Sequence, residues 1–126
     1  MADNAKRLVT AVQKALSPDL LKPEYRAKNK TNRFYGHCYV ASEALWYLLG
    51  GRESGYEPIR ASDDHGVVHW WLENRETGKI LDPTSKQYTS AGEKPPYDHG
   101  VFGGFLTSEP SKRAAVILER VLRDEY

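Results

Sequence analysis

The first element that the hydrophobic pattern predicts is an amphipathic helix near the amino terminus. Apolar side chains recur there at the spacing of one helix face, at Ala5, Leu8, Val9, Val12, Ala15 and Leu16. Asp3 or Asn4 is a suitable N-cap, and Ser17 followed by Pro18 ends the pattern. Residues 22–36 show no periodicity and carry five basic side chains, so we expect an irregular surface loop there.

A second helix is predicted for residues 37–49, where apolar side chains are too dense for a surface helix. Gly50 and Gly51 follow it and supply a left-handed stop that glycine adopts at little steric cost. The only cysteine of the chain, Cys38, lies in the first turn of this helix, just after Gly36 and His37. We therefore expect a central, buried helix with a thiol at its amino terminus.

A β-hairpin is predicted to follow the central helix. Residues 66–74, GVVHWWLEN, are rich in β-branched and aromatic side chains, and a turn at RETGK leads into a second strand at residues 79–84. Because side chains alternate along a strand, His69 and Trp71 share one face. With the turn centred on residues 77–78, Asp82 lies one or two pairs from His69, within reach of a contact between adjacent strands.

Three weaker elements complete the predicted fold. Residues 56–61 predict a short strand that Pro58 weakens. Residues 85–107 are rich in proline and glycine and predict a long loop with a short strand within residues 101–106. A final amphipathic helix runs through Arg123, with Ser108 or Ser111 as its cap. The expected fold class is α+β, with the central helix packed on a small antiparallel sheet and flanked by the terminal helices.

Chain length and composition favour one domain spanning residues 1–126. A chain of 126 residues with 40% hydrophobic side chains is too short for two independent cores. A single cysteine forms no internal disulfide and gives no sign of an oxidising compartment. No apolar run has the length of a signal-peptide core or a membrane span, so we expect a cytoplasmic protein without a membrane partner.

The net charge of +1 conceals an asymmetry along the chain. Residues 1–36 contain eight Lys or Arg and three Asp or Glu, whereas the remaining residues contain ten and fourteen. The basic loop from Lys22 to Arg33 therefore suits an anionic partner. No nucleic-acid-binding motif accompanies it, so nucleic acid is not an expected partner. A further anion site is open at Ser111, Lys112 and Arg113, at the start of the last helix.

Cys38, His69 and Asp82 have the residue types and the placement of a nucleophilic triad. A thiol attacks as thiolate, which the amino terminus of a helix favours, and the backbone N–H of Cys38 can help to hold an oxyanion. His69 would act as the base, and Asp82 would fix the imidazole tautomer. His37 and His65 add ligand types that zinc accepts, but the spaced pairs of a zinc module are absent, so we expect no metal and no other cofactor.

These motifs together resemble the transglutaminase-like group within the papain-like fold. That group typically shows a His-x-Trp-x-Glu strand, matched by His69, Trp71 and Glu73, and an Asp-Pro-Thr on the next strand, matched at residues 82–84. The resemblance covers residues 35–88. It implies a thiol-dependent acyl-transfer site with Cys38 as nucleophile, His69 as general base and then acid, and Asp82 as the residue that orients it.

The same resemblance suggests three further site residues. Papain-like enzymes carry a glutamine shortly before the cysteine as an oxyanion donor, and the nearest amide here is Asn32. Tyr39 stands where the family often has an aromatic residue directly after the cysteine, and Trp71 is expected to border the site beside His69. Separately, the segment GGFLTSEPSKRAAVILERV is similar to small uncharacterised bacteriophage proteins, which would place the chain in a host cytoplasm.

Two functions from different classes follow. The first is a cysteine-dependent hydrolase or acyltransferase acting on an amide-type bond, as a peptidase, a deamidase or a transglutaminase-like enzyme, with a peptide or protein as substrate. The alternative is a non-enzymatic, phage-type binding protein that uses its basic loop against an anionic ligand or a host protein. The substrate, the acyl acceptor and the oligomeric state are not fixed by the sequence.

Overall fold

The computed structural model describes residues 2–21, 23–25, 30, 36–105 and 109–124. Helices and strands are interleaved along the chain. The helices are α1 (Ala2–Ala15), α2 (Cys38–Leu49), α3 (Lys86–Thr89) and α4 (Lys112–Asp124). The strands are β1 (Tyr56–Ser62), β2 (Val68–Asn74), β3 (Ile80–Leu81) and β4 (Val101–Phe102). Short 3-10 turns lie at Pro18–Leu20, Gly51–Ser54 and Tyr97–His99.

The strands of the described residues form one antiparallel sheet in the order β3-β2-β1-β4. β1 and β2 pair along their whole length, with Ala61 opposite His69. β3 pairs only with the end of β2, where Leu81 lies opposite Leu72. The α+β class and the β2–β3 hairpin are therefore confirmed. The strand at residues 56–61 is also confirmed, and it continues through Pro58 without interruption.

The main core lies between α2, the sheet and the two terminal helices, as the flanking arrangement predicted. α2 contacts β2, α1 and α4, and α1 contacts α4. The predicted α1 stripe points into this core, and α2 ends as predicted at Gly50, which is left-handed with φ of +115°. The N-cap prediction for α1 is wrong, because the helix begins at Ala2 and holds residues 3 and 4 inside its first turn.

The amino terminus of α4 is closed by a carboxylate from the central helix. Ser111 precedes the helix and accepts a hydrogen bond from the N–H of Ala114 through its hydroxyl, as an N-cap. The fully buried Glu43 accepts hydrogen bonds from the backbone N–H and the hydroxyl of Ser111, at 2.8 and 2.7 Å. A carboxylate of the protein itself, that of Glu43, therefore occupies the anion-binding position at the start of α4. Ser108 lies outside the described residues.

The segment between β3 and β4 is more ordered than the prediction of a long loop. It contains α3, in which Gln87 and Tyr88 are buried, and the 3-10 turn at Tyr97–His99. A four-residue helix is too short to leave a periodic pattern, and tertiary packing of its two buried side chains holds it. Residues 23–25 are likewise helical within the expected irregular loop, most of which lies outside the described residues.

None of the described helices is long and apolar enough to cross a membrane.

Candidate active site

The thiol of Cys38 is placed by the way α2 lies along an open edge of the sheet. Because β3 pairs only with Leu72 and Glu73, the first half of β2 has no strand neighbour on that side among the described residues. The Cys38 thiol faces the Val68 carbonyl at 3.7 Å, and the Ser42 hydroxyl donates to the Trp70 carbonyl at 3.2 Å. These contacts hold the start of α2 against the segment of β2 that carries His69.

The turn before Cys38 requires glycine at position 36. Gly36 has φ of +84°, a conformation that residues with a side chain rarely adopt. A Cβ at this position would also lie 2.9 Å from the side chain of Leu21 and 3.1 Å from that of Tyr25. Gly36 therefore allows the chain to pass close to these side chains and to enter α2 directly at the thiol.

His69 and Asp82 form a buried ionic hydrogen bond. His69 Nε2 lies 2.6 Å from Asp82 Oδ2, and the two side chains are 0% and 3% exposed. Asp82 follows directly after β3 instead of lying within the predicted strand. Extending the β2–β3 register by one pair places Asp82 opposite Trp71, so it reaches His69 diagonally on the same face of the hairpin.

Further hydrogen bonds fix the orientation of Asp82. Tyr97 donates its hydroxyl proton to Oδ2 at 2.8 Å, the oxygen that also faces His69, and the backbone N–H of Thr84 donates to Oδ1 at 3.0 Å. Burial, followed by the charge of Asp82, raises the pKa of Tyr97, so its proton is retained in this contact. Sequence reasoning missed Tyr97, because this residue lies in a 3-10 turn fifteen residues away from Asp82 and no local pattern points to it.

Two aromatic rings enclose the imidazole of His69. Trp71 stacks on it with centroids 5.7 Å apart, and Tyr88 from α3 meets it edge-on at 4.8 Å. Tyr88 in turn donates to Asp63 at 2.8 Å, and Asp63 also accepts the backbone N–H of Val67 in the β1–β2 turn. The ring of His69 is thus fixed by α3 and by the turn that precedes β2.

The electrostatic surroundings of His69 favour the imidazolium. Burial alone would lower its pKa, but the interactions with Asp82 and with Cys38 outweigh burial and raise the pKa to about 9. Nδ1, the nitrogen not used by Asp82, has no hydrogen bond to nitrogen or oxygen in the described part of the chain. The thiol is directed at the Val68 carbonyl and interacts with the ring without hydrogen-bond geometry, as is common for catalytic groups before substrate binds.

The raised pKa of His69 predicts a pH-dependent contribution to stability. A group whose pKa rises from 6.5 to about 9 on folding stabilises the protein fully below pH 6.5 and loses this effect as the pH rises through about 9. We expect the free energy of unfolding of the wild type to exceed that of Asp82→Asn by the largest amount near pH 6, on the order of 2 kcal/mol. Urea unfolding of both proteins at several pH values measures the difference, and a difference that grows towards pH 9 would contradict the assignment.

Cys38 forms part of the wall of a surface cleft of about 310 Å³. Its other described lining residues are Leu20, Tyr25, Gly36, Tyr39, Val40, Val67, Val68, Trp70, Gln87 and Arg113. Only 8% of Cys38 is exposed, and this cleft is the side from which a substrate would approach its thiol. The imidazole of His69 lies behind it, without exposed surface.

Of the three additional site residues suggested by the resemblance, the structure describes Tyr39 and Trp71. Tyr39 lines the cleft beside Cys38, as expected. Trp71 contacts His69 but is completely buried, so it is not a cleft wall, and Trp70 on the opposite face of β2 takes that place. Trp71 therefore lies beside His69, as expected, but does not line the cleft, because Tyr97 covers the His69 face of the strand. Asn32 lies outside the described residues.

Gln87 is a second residue that sequence reasoning missed. It belongs to α3, it is largely buried, and it lines the cleft that Cys38 also lines. A primary amide has two N–H donors, which is the chemistry that a side-chain contribution to an oxyanion hole requires. The first-turn N–H groups of α2 are further donors, since a helix leaves them without an intrahelical acceptor.

No protein-family model, no curated protein and no solved structure matches the chain.

Proposed function

We propose that the protein is a cysteine-dependent hydrolase or acyltransferase that acts on an amide-type bond. In this proposal Cys38 is the nucleophile, His69 the proton-transfer residue and Asp82 its positioning partner. The order and placement of these residues resemble those of a papain-like or transglutaminase-like enzyme, with the cysteine at the start of a central helix and the histidine and aspartate on an antiparallel hairpin.

One observation supports this proposal above all. The completely buried imidazole of His69 has its Nε2 only 2.6 Å from the carboxylate of Asp82. The thiol of Cys38 lies both at the amino terminus of α2 and on the wall of a cleft. A buried histidine with a structural role only would be expected to use both ring nitrogens, because an unsatisfied buried polar atom costs about 1–3 kcal/mol. Nδ1 of His69 has no such oxygen or nitrogen partner among the described residues.

The proposed reaction follows from the protonation state of His69. With a pKa of about 9, its imidazole carries the proton at neutral pH. In the proposed reaction Cys38 attacks the carbonyl carbon as its thiolate, the form in which a thiol is nucleophilic, and the N–H groups at the start of α2 stabilise the oxyanion. The imidazolium then gives its proton to the departing amine. Water or a second amine, deprotonated by the now neutral His69, attacks the thioester and releases the thiolate beside the imidazolium.

Alkylation of the native protein by iodoacetamide tests this proposal, because the chain offers a single thiol. We expect Cys38 in the folded protein to react at pH 6 about ten times faster than in the urea-unfolded chain. A larger thiolate fraction raises the rate, and the lower intrinsic nucleophilicity of a stabilised thiolate offsets part of the gain. Mass spectrometry of quenched samples gives the rate.

The contrary result is equally clear. A thiol that reacts more slowly in the folded than in the unfolded protein at every pH would show that burial protects it, and the enzyme proposal would fail. The binding-protein hypothesis would then be the better account. Its own test is a loss of affinity for an anionic ligand with rising salt and with charge reversal at Lys28, Lys30 and Arg33.

A further inference from the structure

The cleft beside Cys38 has a distinctive chemical character. Most of its described lining is apolar or aromatic, with Val68 and Trp70 from β2 next to the thiol and Tyr39 from α2. Tyr39 packs edge-on against Trp70 at 4.9 Å, so these two rings form a fixed corner of the cleft. The described lining residues include one cation, Arg113, and no acidic side chain.

Arg113 has no competing partner in the part of the chain that the structure describes. Its side chain is exposed, and it makes no hydrogen bond or ion pair with a described residue. The nearest buried carboxylate, that of Glu43, is committed to the N–H and hydroxyl of Ser111. The guanidinium is therefore available to a ligand, and it presents the planar donor geometry that suits a carboxylate.

Arg113 lies at the cleft that also contains the thiol of Cys38, since both residues line it. Glu43 on the central helix α2 holds Ser111, so the start of α4, which carries Arg113, is fixed against α2. A substrate group that reached from the thiol to Arg113 would pass along Tyr39 and Trp70.

We propose that the cleft binds an acyl group that combines an apolar or aromatic part with a carboxylate, the ring or chain lying against Trp70 and the carboxylate against Arg113. This inference rests on the proposed function and narrows its substrate class.

Two aromatic disulfides test the inference through the reactivity of Cys38. Dithiobis(nitrobenzoate) carries a carboxylate on each ring, and dithiodipyridine is neutral at pH 7. In both reactions the thiolate attacks one sulfur, a mixed disulfide forms and the other half leaves as a coloured thiolate or thione. We expect the ratio of the two rate constants to favour the carboxylate reagent about three- to fivefold more in the folded protein than in the urea-unfolded chain.

Two charge variants identify the residue responsible. Arg113→Gln should lower the rate constant for the carboxylate reagent about three- to fivefold and leave that for the neutral reagent unchanged. Lys112→Gln is the matched control, since it removes the same charge one residue away from a side chain that does not line the cleft. Trp70→Ala should slow both reagents, because the apolar wall serves both rings.

Each result has one meaning. If neither reagent modifies the folded protein, the proposed function fails and this inference fails with it. If both react and the ratio equals that of the unfolded chain, or if Arg113→Gln matches Lys112→Gln, the cleft does not select a carboxylate. The thiol enzyme proposal then stands and the substrate inference is overturned.

Discussion

Replacing His69 by glutamine is expected to lower the turnover of an activated aryl ester by about two orders of magnitude or more. Glutamine can still donate a hydrogen bond to Asp82, so the buried carboxylate keeps a partner. It can neither hold a proton for the leaving group nor remove one from water, and loss of such a residue typically costs between about a hundredfold and ten-thousandfold. Release of the chromogenic alcohol, followed over time, measures both acylation and turnover.

His65→Gln is the matched control for this experiment. His65 is exposed and pairs with Glu93 at 3.2 Å, outside the cleft that contains Cys38. Its replacement should leave the turnover unchanged. If His69→Gln retained the same turnover as His65→Gln, the imidazole of His69 would have no part in the reaction.

The pH dependence of the turnover of an amide substrate should report the proton on His69. The group that protonates the leaving amine is active below its pKa, so turnover of an amide substrate should decline as the pH rises through about 9. Asp82→Asn removes a cause of the raised pKa and should move this decline to lower pH. Tyr97→Phe removes a donor to the same carboxylate oxygen and is a positioning variant for comparison.

The parts of the site that the sequence predicted are those set by local pattern. A glycine-terminated apolar helix placed Cys38 at a helix amino terminus, and strand alternation with a short turn placed Asp82 near His69. These features depend on spacing along neighbouring elements, so periodicity and turn chemistry were sufficient to predict them. The helix α2 and the β2–β3 hairpin were predicted correctly for the same reason.

The parts that it did not predict depend on contacts between distant segments. Tyr97 reaches Asp82 from a 3-10 turn, and Tyr88 reaches His69 from a four-residue helix, and neither element has a periodic signal. Whether Trp70 or Trp71 lines the cleft depends on which face of β2 the segment at residues 97–100 covers. Strand alternation shows only that the two side chains point to opposite faces.

Because Trp71 is completely buried, its replacement is expected to have the largest effect on the free energy of unfolding. Trp71 has no exposed surface, stacks on His69 and meets Tyr97 at 5.1 Å. A Cβ at Gly100 would lie 2.7 Å from its ring, which shows how closely the backbone covers it. We expect Trp71→Ala to lower the free energy of unfolding by about 3–5 kcal/mol, through lost burial and the cavity that remains.

Two further variants separate packing from the polar atom of the indole. Trp71 Nε1 is buried without a hydrogen-bond partner in the described structure, so Trp71→Phe removes an unsatisfied donor as well as part of the ring. Its cost should therefore be well below that of Trp71→Ala. Trp70→Ala, at a half-buried cleft position, should also cost less. Urea unfolding compares all three, and equal losses for Trp70→Ala and Trp71→Ala would mean that Trp71 is not the covered residue that supports His69.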